Sequence, residues 1–414
     1  MVGPDLPVRR RRALLGGAAV AGAAGAGLFL GRSSTDIAPA ETTAGWPAPR
    51  RGPRNAAFNP DAAPPRSEAV VTWSTPVGGV DSLVVSDGVV FVAESRGAQP
   101  STAGIAALDA ADGTVVWDRP EPGATLCTAG EMLYVGTTDA DDGGSPDVRA
   151  LDAATGQQAW SIDPEASAEV FHLLAGSDTV YAGRLGSVEG LHRDDGRRRW
   201  RRRFGNGWTG TALREGELYV SGGSETARLE PNTGLDAVRP DALRSDAPGE
   251  QWATVSGPDF PFLPILTDET VLVGGLNPTE PQRVVAYDRA TGEVRWSTKP
   301  LGERVQRPVV RQRLGYSRTP SFGGSDPTGG LVAFDLASGE VVWERSLASP
   351  TVPPIAADDV VVAGTTDGVV RGFDAADGTP LWRLAVGDEV RTLAAAGSTV
   401  FVGTDNGPVV ALAE

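Results

Sequence analysis

The 414-residue sequence predicts an all-β fold, an eight-bladed β-propeller built from four-stranded blades. Three observations carry that prediction. A short unit recurs along most of the chain, its spacing suits one blade per repeat, and the ends of the array hold complementary parts of one unit. The unit is clearest at residues 150–160, Ala-Leu-Asp-Ala-Ala-Thr-Gly-Gln-Gln-Ala-Trp. Its first three residues alternate as a strand does, residues 153–156 make a tight turn, and residues 157–160 return. Gly156 suits the positive φ such turns often need, and the Asp152 carboxylate can accept from turn amides. Trp160 brings a large apolar surface and an N–H that needs a partner.

The same frame returns at 108–117, 191–200, 287–296, 334–343 and 373–382. The turn acids are Asp109, Asp152, Asp288, Asp335 and Asp374, and the glycines are Gly113, Gly156, Gly196, Gly292, Gly339 and Gly378. A weaker copy follows Leu229 and includes Gly234, with Val238 where Trp is expected, so that blade reads as decayed. Counting Trp73, Trp117, Trp160, Trp200, Trp296, Trp343, Trp382 and the vacant slot at Val238 yields eight units, 38 to 58 residues apart. Residues 409–414 start a copy that stops before its turn, while residues 70–75 read as a returning strand with no turn before it. A strand at about 69–75 therefore joins the C-terminal blade and closes the ring.

In chain order, residues 1–40 form a candidate export signal. Arg9 to Arg12 precede an apolar run from Ala13 to Leu30, a pattern that resembles a twin-arginine (Tat) signal. Ala38-Pro39-Ala40 offers a cleavage site; the alternative is an uncleaved N-terminal anchor, because the 18-residue run is just long enough to span a bilayer. Residues 41–66 are a Pro- and Arg-rich lead that lies against one end of the ring or serves as a spacer. The propeller occupies 67–414. Its first full blade reads as strands at 80–86, 89–94, 105–109 and 114–117. The long segments at 96–104, 139–147, 239–259 and 317–330 are assigned to second–third and fourth–first connections, which share one face. Binding is expected there, since long loops on a rigid scaffold commonly carry it.

Composition narrows the function classes. Asp+Glu number 53 against 37 Lys+Arg, with Lys299 the only lysine, for a net charge of −16. Such acidity argues against nucleic acid as a partner and points to a halophilic, archaeal source. Cys127 is the only cysteine, so no intramolecular disulfide forms. His192 stands in the slot of the turn acids, and neither it nor His172 has identifiable triad or zinc partners. The acidic run 139–144 departs from an EF-hand in its Gly spacing and reads as a solvated loop. Arg197, Arg199, Arg201 and Arg203 fall on one face of a strand, and two readings are open. They form a binding patch, with Trp252 and Phe322 as aromatic anchors, or they pair with carboxylates on adjacent blades and blunt a sheet edge. The second is preferred.

The frame Ala150-x-Asp152-x-x-Thr155-Gly156-x-x-x-Trp160 resembles the repeat of the pyrroloquinoline quinone (PQQ) propeller superfamily over about residues 67–414. That resemblance implies eight blades with each Trp packed between neighbours. The superfamily includes quinoprotein dehydrogenases and non-catalytic members such as BamB. The dehydrogenases it implies hold calcium and a catalytic Asp at the quinone, many with a disulfide of adjacent cysteines. Lone Cys127 and the absence of a C-x-x-C-H motif set this chain apart, so it resembles the BamB-like, non-catalytic members. No catalytic, cofactor or metal residue is assigned. The expected function is an exported scaffold at the cell surface or outside it, binding an envelope or extracellular protein. The alternatives are a minimal PQQ- and calcium-dependent dehydrogenase and a sensor that binds a small ligand in the central channel.

Overall fold

A computed structural model describes residues 8–10, 37–40, 45–95, 104–121, 123–137, 148–162, 169–231, 247–255, 263–275, 282–301, 307–319, 328–348 and 352–414. Every regular element among them is a strand, and the strands form eight sheets around a central axis. Blade 1 comprises Gly79–Ser86, Val89–Ser95, Ile105–Asp109 and Val115–Arg119, in that order from the axis outward. Blade 2 repeats the order with Thr125–Ala129, Met132–Gly136, Val148–Asp152 and Gln158–Ile162. In blade 3 one continuous element, Thr179–His192, carries both the second and third strands, turning at Gly186, where φ is 68°.

Inner strands are largely buried, as in the all-buried Thr125–Ala129, whereas outer strands alternate, as in Gln158–Ile162. That difference follows from crowding at the axis and a solvated rim. The ring closes as expected: Val70–Thr75 pairs antiparallel with Val409–Ala413, placing Trp73 opposite Ala411.

Blade 4 corrects one expectation. Its outer strand is Gly249–Val255, and Trp252 stands opposite Arg228 at the register shift where other blades place their Trp. The blade is intact, and an insertion between its third and fourth strands displaces the Trp in sequence. Val238, the expected substitute, lies outside the described residues. Because the third strand ends at Glu230 and the fourth starts at Gly249, the chain from 239 to 248 belongs to a third–fourth connection rather than the fourth–first connection expected for the segment at 239–259. Along the outer edge of this blade, Val8–Arg10 adds a fifth strand.

The lead is a structured collar. Its backbone pairs with the inner strands or the turns that follow them in all eight blades: Trp46 with Val85, Pro47 with Thr128, Ala38 with Ser177 and Pro53 with Leu213. The sequence continues with Arg54 to Leu266, Ala56 to Val310, Ala57 to Ala356 and Ala63 to Gly397. Phe58–Asn59 runs parallel to Ile355–Ala357 as an extra innermost strand of blade 7. These contacts satisfy inner-edge amides that would otherwise be buried without partners. They lie toward the short-turn face, where the inner strands end. The collar includes Ile37, which is fully buried and whose carbonyl accepts from Gly216 N at 2.7 Å, so it begins before the expected boundary at residue 41.

Candidate functional site

The repeat residues form the joints between blades. The indole N–H of Trp117 donates to Ala153 O at 2.9 Å, that of Trp160 to Arg193 O at 2.9 Å, and that of Trp296 to Leu336 O at 3.0 Å. Trp73 and Trp343 reach the next turn likewise, through Ala110 O and Ala375 O. Trp252 donates to Arg289 O at 3.0 Å and packs on Tyr219, as Trp160 packs on Tyr134. At 1% exposure Trp252 belongs to a joint, which corrects its place as a binding anchor. At the ring closure Trp382 finds Pro65 O of the lead, because the strand of residues 70–75 has no preceding turn. Trp200 differs: its Nε1 is buried with no hydrogen-bond partner among the described residues, and the adjoining blade 4 carries the insertion just after Pro231.

Each turn glycine sits where a side chain would collide with the Trp before it. A Cβ on Gly156, at φ 68°, would lie 2.8 Å from the Trp117 ring, and Gly113, Gly196, Gly292, Gly339 and Gly378 face their tryptophans in the same way. Gly234 lies outside the described residues. The turn acids cap their own loops: Asp109 accepts from Ala111 N, Asp288 from Thr291 N, Asp335 from Ser338 N and Asp374 from Ala376 N. Asp152 accepts from both the Thr155 hydroxyl and amide, which holds its carboxyl below the usual value. His192 in the same slot accepts from Arg199 at Nδ1, 3.1 Å away.

The arginine stretch is mostly engaged with carboxylates. Arg197 pairs with Asp195 at 2.7 Å and Arg199 with Asp178 at 2.8 Å. Glu189, nearly fully buried, gathers Arg184 at 2.9 Å, Arg198 at 3.3 Å and Arg201 at 3.5 Å. Arg202 reaches Glu250 on the adjoining blade, and Arg203 is exposed. Arg197, Arg199 and Arg201 therefore pair with carboxylates of their own blade rather than of adjacent blades as expected, whereas Arg202 reaches across. Phe322, the other proposed anchor, lies outside the described residues, as does the acidic run 139–144.

An exposed apolar group escaped the reading of the sequence. Leu185 and Trp208 are cross-strand partners, 54% and 51% exposed, and Trp208 stacks on Phe171 with ring centroids 5.6 Å apart. Leu185 sits in a second–third connection and Trp208 in a fourth–first connection, so the group lies on the long-connection face. The available signal was positional: Trp208 falls eight residues beyond the repeat Trp at 200, off the frame.

On the channel side, the collar sends Arg50 and Asn55 inward. Asn55 Nδ2 bridges Thr211 O at 2.7 Å and Pro264 O at 2.9 Å. Arg50 donates to Pro308 O at 2.7 Å, and His172 pairs with Thr211 O at 3.0 Å. Burial, followed by the charge of Arg307, lowers the His172 pKa to about 3, so the ring is neutral near pH 7 and its Nε2–H donates. Among the described residues no three His, Cys, Asp or Glu side chains converge. Cys127 is buried, its thiol pushed up to about 12 chiefly by desolvation.

The profile of a family described as "Outer membrane protein assembly factor BamB" matches residues 66–169, 144–253, 184–326 and 282–414. The BamB of Burkholderia pseudomallei (strain K96243) is 28% identical over 202 residues, 47% of each chain. The aligned part of the chain thus spans about half the length of that curated relative. Among solved structures, the quinohemoprotein alcohol dehydrogenase of Comamonas testosteroni is similar with a TM-score of 0.68 at 14% identity, over 90% of this chain and 81% of that one. BamB of Moraxella catarrhalis is similar with a TM-score of 0.60 at 16% identity, over 84% and 98%. At such identities these two structures speak to the fold alone.

Proposed function

Because this chain belongs to the family described as outer membrane protein assembly factor BamB, whose matches span residues 66–414, we propose that it is an exported, non-catalytic scaffold. Its long-connection face docks another protein of the cell envelope or exterior. The observation that carries this reading is the exposed Leu185 and Trp208 on that face, with half-buried Phe171 packed against Trp208. A large aromatic ring half in solvent, with an apolar neighbour and arginines nearby, has the composition of an interface anchor. The opposite face offers less to a partner, because the collar already occupies the inner edges there. Export fits the Tat-like segment at residues 9–30, and cell-surface placement fits the assembly role printed for the Burkholderia relative.

The test is native purification from envelope extracts, comparing wild type with a Leu185→Ser/Trp208→Ser double variant. The reading expects a stoichiometric protein partner whose affinity falls at least about tenfold in the variant. Undiminished partner binding by a folded variant would remove this face from the interface. Saturable PQQ binding with dye-linked alcohol oxidation in the presence of calcium would replace the scaffold reading with the dehydrogenase one.

A further inference from the structure

We propose that Arg50 and Arg307 form a binding site for a small dianionic oxyanion in the central channel, above the collar. Two guanidinium groups arrive there from separate parts of the chain. Arg50 comes from the collar, is 4% exposed, and is pinned through Nη2 to Pro308 O at 2.7 Å and through Nη1 to Pro354 O at 3.5 Å. Pro308 is bonded to Arg307, so the connection entering blade 6 brings the second guanidinium to the same place. Arg307 holds a φ of 48°, unusual for a residue with a side chain and tolerated mainly where surroundings impose it.

Among the described residues no carboxylate forms an ion pair with Arg50 or Arg307, and the Nε of each is buried without a hydrogen-bond partner. Elsewhere in this chain of 53 acidic residues arginines meet carboxylates at Asp178, Glu189, Glu217 and Asp288. Two like charges held together away from water are costly unless a counter-charge joins them. The field is visible on Arg50, whose pKa burial and then Arg307 lower to about 9. His172 adds no compensating charge, being neutral near pH 7.

An oxyanion carrying two negative charges would neutralise both groups, and guanidinium N–H donors match carboxylate or phosphate oxygens in geometry. Arg307 remains partly accessible, which leaves an approach from the channel. The site is independent of the docking face and stands whether or not a protein binds there.

The experiment uses purified protein and inorganic phosphate at pH 7.5, with NaCl at matched ionic strength as the reference and acetate as a monoanion. The expected result is one-site calorimetric binding of phosphate at least about tenfold tighter than acetate, and a higher Tm in phosphate than in matched NaCl. Arg307→Gln should abolish both responses, while its ligand-free Tm equals or exceeds that of wild type because like-charge repulsion is relieved. Phosphate no better than matched NaCl on the wild-type protein would overturn the proposal, whatever the variant's folding. So would a folded Arg307→Gln protein with the wild-type response.

Discussion

Glu189 illustrates how one side chain decides whether a cationic stretch is a surface patch or a joint. Its carboxylate lies within 3.5 Å of three guanidinium nitrogens, from Arg184, Arg198 and Arg201, and both it and Arg184 are nearly fully buried. Truncation would strand a buried charge, so Glu189→Ala is expected to lose about 3 to 5 kcal/mol in denaturant unfolding. Glu344→Ala, which removes an exposed partner 3.8 Å from Lys299, should stay within about 0.5 kcal/mol. Losses of equal size would show that the buried cluster has no special weight. Among single residues, the turn acids and glycines were legible because the turn needs their chemistry at fixed offsets. Glu189 was not, since nothing in a strand's alternation says which carboxylate a neighbouring strand will surround. Arg50 and Arg307 meet only through folding, 257 positions apart in the chain, and no local pattern announces them.

The blade is the element that the sequence describes best, and its weakest point is also where the pattern is disturbed. Strand order, turn position and the closing strand all follow from the repeat, because a period of one blade leaves few alternative arrangements. Blade 4 was misjudged for a definite reason: an insertion moves Trp252 out of the expected interval without moving it out of its slot. The same disturbance reaches the neighbouring joint, where Trp200 has lost the carbonyl that its counterparts use. Trp160→Phe should therefore cost about 0.5 to 1.5 kcal/mol more than Trp200→Phe, the worth of one hydrogen bond, as measured by urea unfolding. Equal costs would mean that the indole N–H contributes nothing at these joints. The collar, by contrast, was legible only as a Pro- and Arg-rich lead, because a segment that takes its order from eight different strands has no periodicity of its own.

At the scale of the whole molecule, the two faces of the ring differ in what they leave open. The collar seals the inner strand ends on one side, whereas the other carries the second–third and fourth–first connections and the Leu185–Trp208 pair. Family membership supplies the expectation of a scaffold, and this asymmetry is the ground for the proposed docking side. The most direct measurement places a photo-cross-linking amino acid at position 208 and, separately, at exposed Glu131 in a first–second turn of the sealed face. Both proteins are irradiated in intact cells. The scaffold account predicts one discrete protein adduct from position 208 and none from position 131. Adducts from position 131 alone, or none from either position in correctly localised, folded protein, would contradict it.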